Sequence, residues 1–373
     1  MAITIDHLAW EDQIKLTLRA LYEGYGFRQY RMGKFEPYDM YYEHKDFLKS
    51  ETVITFTDTA GRLMALKPDV TMSIVKSTQG DDASRKLFYM ENVFRMAPGS
   101  REYGEISQIG IESIGGTDLY TEAETLLLAV KTLETISKSY LLDLSHMGFV
   151  SAVLSACGFD AAEREAAIHA LTHKNTHELI ALAESVGVDA EKCELLRAVA
   201  NVSEAPERAI ARFRTLSLNE EMAAALAELE RGCAVLAAAG CADHLRIDFT
   251  VVNNMDYYNG LVFRGYIENL PRAVLAGGRY DNLMRRFRKP QSAIGFALYL
   301  GELTRAFTKP EAYDTDTLVL YGDAAPETVM RAVAFLREDG RGVRAEKTMP
   351  EGLRARRIYR LSMDGKLEVS ADD

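Results

Sequence analysis

At 373 residues, with 47% hydrophobic and 27% charged positions, the chain can bury sizeable cores in two or three domains. Its net charge of −11 argues against non-specific nucleic-acid binding, since an acidic surface repels phosphates. No apolar run approaches the roughly 18–20 residues of a membrane span. The opening MAITIDHLAW lacks the basic start and apolar core of a secretory signal. Four cysteines (Cys157, Cys193, Cys233, Cys241) show neither zinc-ligand nor disulfide-framework spacing, so a reducing cytoplasm is the expected setting.

An amphipathic helix is expected over about residues 7–23 (Leu8, Ile14, Leu18, Leu21), stopped by Gly24 and Gly26. TVITFTD and RLMALKP around TAG read as a hairpin, and KLFYMENVFRMA with GEISQIGIESIGG as a second antiparallel pair. TEAETLLLAVKTLETIS reads as a helix with Leu126, Leu127, Val130 and Leu133 on one side. From about residue 160 to 240 alanine, glutamate and leucine dominate and strand formers thin out, which predicts a helical insertion. Strands resume with HLRIDFTVVN and GLVFRGYIE, then a glycine turn LAGGRYD, then SAIGFALYLGELTRAF. After a polar linker, TKPEAYDTDT, come a strand, a helix, a strand and a hairpin over Asp364-Gly365. The pattern is α+β: an antiparallel sheet flanked by helices, a helical insertion and a short C-terminal α/β domain. The boundaries are 1–158 with 244–308 for the core, 159–243 for the insertion and 316–373 for the tail.

No P-loop, HExxH, GxSxG, EF-hand or helix-opening GxGxxG sequence is present. The chemistry must come from polar groups set in apolar strands. In ISQIGIESI (106–114) a period of two puts Ile106, Gln108, Gly110 and Glu112 on one face. Gln108 and Glu112 then stand roughly 13 Å apart across a side-chain-free glycine. Such a trough suits an amino acid, with the carboxylate favouring a ligand tip that carries N–H donors. The same pattern fits a solvent-facing sheet side. In LKPDVT, Asp69 and Thr71 can cap a helix or hold an ammonium group. Arg95, among apolar neighbours, can pair with a carboxylate or clamp a ligand, and the Gly-Gly of LAGGRYDNL can be a turn or a point of close ligand approach. Tyr257 and Tyr258 would point to opposite faces of a regular strand, so both can line a pocket only where the backbone is bulged. The basic run RRFRKP (285–290) reads as a solvated loop or a docking site.

Taken in order, these segments resemble histidyl-tRNA synthetase, a class II aminoacyl-tRNA synthetase, over roughly residues 5–158 and 244–308. KFEP (34–37) is similar to the dimer-forming first motif, with Met32 in place of a proline, and LKPDVT is similar to LRPEGT. VFR with SQIGIE resembles the second motif, MDYYNGLVF the histidine-specific LDYYTRTVF, and AGGRYDNL with AIGFALYLGEL the glycine segment and third motif. Carried over by position, the resemblance implies that Asp69 and Thr71 hold the ammonium of histidine and that Arg95 and Gln108 lie on its carboxylate side. It gives the imidazole to Glu112 and the pocket wall to Tyr257 and Tyr258.

The departures fall on the reacting centre. Asn253 stands where the family has an arginine acting on the carboxylate, Gly301-Glu302 where Glu-Arg ends the third motif, Gly104 where the second-motif loop has an arginine, and Ala97 where it has a glutamate. Adenylation needs cationic stabilisation, and losing one such group costs about 10²–10³ in rate. A synthetase relative that keeps the histidine pocket and loses activation resembles the ATP phosphoribosyltransferase regulatory subunits. That resemblance implies a non-catalytic, cytoplasmic subunit without cofactor or metal, binding L-histidine as feedback effector. Its implied partner is a short-form ATP phosphoribosyltransferase catalytic subunit, met as a homodimer within a hetero-oligomer, with no tRNA and no membrane. The alternatives are a divergent histidyl-tRNA synthetase and a structural partner protein with a vestigial pocket.

Overall fold

The computed structural model describes residues 8–43, 53–81, 83–96, 102–252, 257–307, 312–338 and 342–372. Residues 14–305 form one compact unit, and 306–373 with the residues up to 13 form another.

In the larger unit, the first helix, α1 (Trp10–Gly24), buries Ile14, Leu18 and Tyr22 at four-residue spacing, so its core stripe ends on Tyr22 rather than Leu21. Four short strands follow: β1 (Arg28–Gln29), β2 (Phe35–Pro37), β3 (Thr55–Thr57) and β4 (Leu63–Leu66). The expected hairpin is the antiparallel β3–β4 pair, with β2 adding on its other side to give a three-stranded sheet. Helix α2 (Asp39–Glu43) comes between β2 and β3, and α3 (Val70–Ser77) follows β4.

The main sheet has eight strands. The long pair β5 (Arg85–Met96) and β6 (Tyr103–Ile114) is antiparallel throughout, with Leu87 opposite Glu112 and Arg95 opposite Gly104. Helix α4 (Leu119–Ile136) is capped by Asp118, whose side chain accepts from Thr121 N–H. It buries Leu126, Val130 and Leu133 as expected, whereas Leu127 is only half-buried and Leu128 and Ala129 turn inward instead. Strand β7 (Tyr140–His146) leads into α5 (Met147–Ala156). Five helices then follow: α6 (Ala161–Thr172), α7 (Thr176–Ser185), α8 (Ala190–Asn201), α9 (Pro206–Leu216) and α10 (Glu220–Ala238). An Asp160–Glu163 capping box starts α6, and Pro206 opens α9, where its missing N–H costs nothing. The last of these helices packs on α4, α5 and α9.

The sheet is completed by β8 (Leu245–Ile247), β9 (Leu261–Ile267), β10 (Leu275–Arg279) and β11 (Ala293–Tyr299), with α11 (Asp281–Arg286) and α12 (Leu300–Phe307) after the last two. The spatial order is β1-β5-β6-β11-β10-β9-β7-β8, antiparallel within and parallel at the two edge pairs. Two expectations are corrected here. HLRIDFTVVN is a strand only to Ile247, because the Asp248 carboxylate accepts from the N–H and hydroxyl of Thr250 and turns the chain. LAGGRYD is an interior strand, not a turn. A Cβ on Gly277 would come within 2.4 Å of the Gly295 carbonyl, and one on Gly278 within 2.7 Å of the Leu261 carbonyl. The glycines permit close packing rather than a reversal.

The smaller unit contains β12 (Thr315–Leu320), α13 (Pro326–Leu336), β13 (Val343–Glu346), β14 (Ala355–Leu361) and β15 (Leu367–Asp372). Its sheet, β13-β12-β14-β15, encloses a small core of Val319, Ala324, Ala332 and Leu361. The hairpin joins β14 and β15 as expected, with Gly365 at φ +87°.

Candidate functional site

Alternation along β6 and its neighbours builds a hollow on one face of the main sheet. Directly opposed residues of antiparallel strands share a face, and the register pairs Glu112 with Gly295, Gly110 with Ala297 and Gln108 with Tyr299. One strand further, Gly295 faces Gly278 and Ala297 faces Ala276. The floor is therefore glycine and alanine, and the polar groups stand around it. Above it is a cavity of about 240 Å³ lined by Asp69, Thr71, Arg95, Gln108, Glu112, Tyr257 and Tyr258, with Tyr89, Tyr280 and Tyr299. All seven residues singled out as binding candidates are thus brought together.

Glu112 is the most constrained of them. It is 1% exposed; Thr71 Oγ1 donates to one oxygen at 2.7 Å and the Tyr280 hydroxyl to the other at 2.6 Å. Burial pushes its carboxyl up to about 8; the two hydrogen bonds oppose that rise and the nearby Asp69 charge adds to it. A Cβ at position 295 would lie 1.9 Å from this carboxylate, so the glycine opposite is what leaves it room. Tyr257 bonds to the same Thr71, which links Tyr257, Thr71, Glu112 and Tyr280 in one chain.

Asp69 serves both roles read from the sequence. It is the N-cap of α3, accepting from Met72 N–H at 2.7 Å, and it faces the cavity. Burial raises its carboxyl, partly countered by that N–H and by the charge of Arg95. The solvent-facing alternative for Gln108 and Glu112 is excluded, since both are buried. Tyr257 and Tyr258 lie in a turn ahead of β9, not in a strand, so both reach the cavity with ring centroids 4.5 Å apart. Burial lifts the phenols of Tyr89, Tyr257, Tyr258 and Tyr280 well above their ordinary range, leaving them neutral hydrogen-bonding groups.

Tyr89, Tyr280 and Tyr299 were missed in the sequence. Tyr89 faces Gly110, where a Cβ would meet its ring at 2.4 Å. In AIGFALY the small residues Ala293, Gly295 and Ala297 alternate with larger ones, the one local sign of a floor. Of the positions expected to have lost catalytic groups, Gly104 lies on β6 opposite Arg95. Glu302 lies in α12, outside the cavity lining, with Arg272 at 3.7 Å. Asn253 and Ala97 lie outside the described residues. Among the described residues no group of three or more histidines, cysteines or acids could hold a metal, and no helix is long and apolar enough to cross a membrane.

This sheet, with the amino-acid-sized hollow on one face, defines a class II aminoacyl-tRNA synthetase-like protein. The histidyl-tRNA synthetase family model matches residues 6–303, and the chain belongs to that family. Within it the chain is similar to the ATP phosphoribosyltransferase regulatory subunit of Clostridium kluyveri, at 27% identity over 344 residues, covering 88% of this chain and 87% of that one. It is also similar to a solved structure described as an ATP phosphoribosyltransferase regulatory subunit/histidyl-tRNA synthetase from Bacillus halodurans. There the TM-score is 0.77 at 25% identity, over 89% of this chain and 87% of the other. A chain in the ATP phosphoribosyltransferase complex of Thermotoga maritima shares the fold, with a TM-score of 0.62 at 18% identity over 79% of this chain and 98% of that one.

Proposed function

We propose that this chain is a non-catalytic regulatory subunit of ATP phosphoribosyltransferase, binding L-histidine as feedback effector and supporting a short-form catalytic subunit in the first step of histidine biosynthesis. The observation that carries the reading is the cavity itself, in which Asp69 and Arg95 supply opposite charges and Glu112 a buried acceptor held by two hydroxyls. Histidine matches that set: its ammonium goes to Asp69 and Thr71, its carboxylate to Arg95 and Gln108, its imidazole N–H to Glu112 between Tyr257 and Tyr258. The names of the relatives support the regulatory role and the partner.

The same site lacks what adenylation needs. By the resemblance, Asn253, Gly104 and Glu302 put neutral or negative residues where the family has arginines at the reacting centre. Ligand binding without reaction is what remains. Inhibition then requires histidine to bind two states of the complex unequally. In this reading 1–158 with 244–308 is the effector-binding core, 159–243 the insertion and 316–373 a small α/β domain. The subunit acts in the cytoplasm as a homodimer within the hetero-oligomer. The exposed aromatic face of Phe35, 60% accessible and edge-on to Phe56, with Tyr42 nearby in sequence, supports that dimer.

Calorimetry with L-histidine and a histidine-dependent ATP–pyrophosphate exchange assay test the proposal together. Saturable binding with no exchange is expected, and a neighbouring ATP phosphoribosyltransferase should co-purify from the native host. Exchange activity would establish the synthetase alternative, and no heat at millimolar histidine would leave only a structural partner.

A further inference from the structure

The cavity on the main sheet carries an unbalanced set of charges. Its lining holds two carboxyls, Asp69 and Glu112, and one guanidinium, Arg95; the rest are hydroxyls, the Gln108 amide and apolar groups. An amino-acid zwitterion brings one positive and one negative group. With both acids ionised, the filled site therefore keeps one negative charge in excess. That excess falls at Glu112. The charge of Arg95 acts on Asp69 and lowers its carboxyl, against burial and Glu36 on β2, which raise it. Glu112 is met instead by Thr71 on α3, by Tyr280 ahead of α11 and by the like charge of Asp69. Tyr89 on β5, Tyr299 on β11 and the turn holding Tyr257 and Tyr258 complete the wall with phenols. Both oxygens of Glu112 already accept from hydroxyls, at 2.7 and 2.6 Å, which suits the ionised carboxylate. A carboxyl only 1% exposed needs either a cation or a proton. In the free site it holds a proton, since burial pushes it up to about 8.

We propose that the pocket binds L-histidine as its imidazolium, paired with an ionised Glu112. This rests on the histidine reading above and adds the charge state in which the ligand is held. As histidine enters with a neutral ring, the Glu112 O–H bond breaks and a ring N–H bond forms, so the complex keeps the one proton that the free carboxyl carried. Free imidazole gains its proton near pH ~6.5, and the free Glu112 carboxyl loses its own near about 8. Between those values binding neither releases nor takes up a proton, and affinity is flat. Below the window one proton is released and above it one is taken up, so affinity falls toward about tenfold per pH unit on either side. The pocket is thereby matched to an amino acid whose side chain is a planar N–H donor that becomes a cation near neutral pH.

Nitrogen-15 NMR of ring-labelled L-histidine bound to the full chain tests this at about pH 7.5, where the free ring is mostly neutral. The bound ring should show two protonated nitrogens. Calorimetry in two buffers of different ionisation enthalpy should find almost no proton exchanged at the same pH. One protonated and one bare ring nitrogen would overturn the assignment, and so would release of about one proton, the count for a neutral ring against a carboxylate. Either result leaves the histidine pocket standing. In Glu112→Gln, at saturating ligand, the bound ring should revert to the neutral form; an imidazolium there would overturn the pairing with Glu112. Should that variant not fold, the spectrum of the unsubstituted protein decides by itself. No heat and no bound signal with the unsubstituted protein would remove the pocket reading and this inference together.

Discussion

Glu112→Gln separates the energetic cost of the site from its use. In the ligand-free protein burial raises the Glu112 carboxyl from 4.5 to about 8. At about 1.4 kcal/mol per pH unit, ionising it in the folded chain is about 5 kcal/mol harder than in the unfolded one. Between pH 4.5 and 8 the unfolded chain gives up this proton while the folded chain keeps it. Its contribution to stability is therefore fully present below pH 4.5, declines as pH rises and is gone above about 8. Glutamine preserves the shape: its carbonyl accepts from one of the Thr71 and Tyr280 hydroxyls, its amide donates to the other, and it has no proton to lose. Urea unfolding of both ligand-free proteins at about pH 5 and 8 measures the difference. Relative to the unsubstituted protein, the variant should gain about 4 kcal/mol between those two values. Its affinity for histidine should fall, since an amide is a weaker acceptor for the imidazole N–H than a carboxylate. Parallel pH profiles would refute the claim that an acid is held protonated here at a cost to the fold.

Asp69→Asn should leave the melting temperature nearly unchanged, because asparagine caps the α3 terminus about as well, while histidine affinity falls by about tenfold or more; equal loss of stability would make the cap its sole role. Gly295→Ala should destabilise by about 1–3 kcal/mol or more, since the new methyl meets the Glu112 carboxylate and the Ile111 carbonyl; denaturation of the purified variant checks this, and tolerance without loss would mean the floor yields. Lys67, wholly buried with its amine 2.7 Å from Glu91, should cost about 3–5 kcal/mol when changed alone to methionine. Much of that should return in Lys67→Met/Glu91→Met, and a double-mutant cycle of urea midpoints with no coupling between the two sites would contradict the pairing.

The contrast between β6 and β10 shows how far the chain could be read. In ISQIGIESI, Gln108, Gly110 and Glu112 fall at every second position with Ile109 and Ile111 between them, so one face is marked without reference to any other strand. In LAGGR no such contrast exists, and Gly-Gly carries the same local signal whether it reverses the chain or lets two strands approach closely. Only the neighbours, β9 and β11 pressing on Gly277 and Gly278, decide for the strand. Tyr258 needed the same information, since which way a turn residue points is set by what it packs on, here Gly278 and Val262.

By itself, then, the sequence determined the helical and strand segments whose apolar residues recur at 3.6 or 2, Asp69 as a cap or an ammonium ligand, and the five ordered motifs that carry the family. Those are local or collinear properties, fixed by side-chain chemistry along the chain. The tertiary structure decided the raised proton affinity of Glu112, the hydroxyl chain from Tyr257 through Thr71 to Tyr280, and the pairing of Lys67 with Glu91. Each depends on desolvation or on the register between strands far apart in sequence. Glu112 is set opposite Gly295 by folding alone, and no pattern within either strand specifies that meeting.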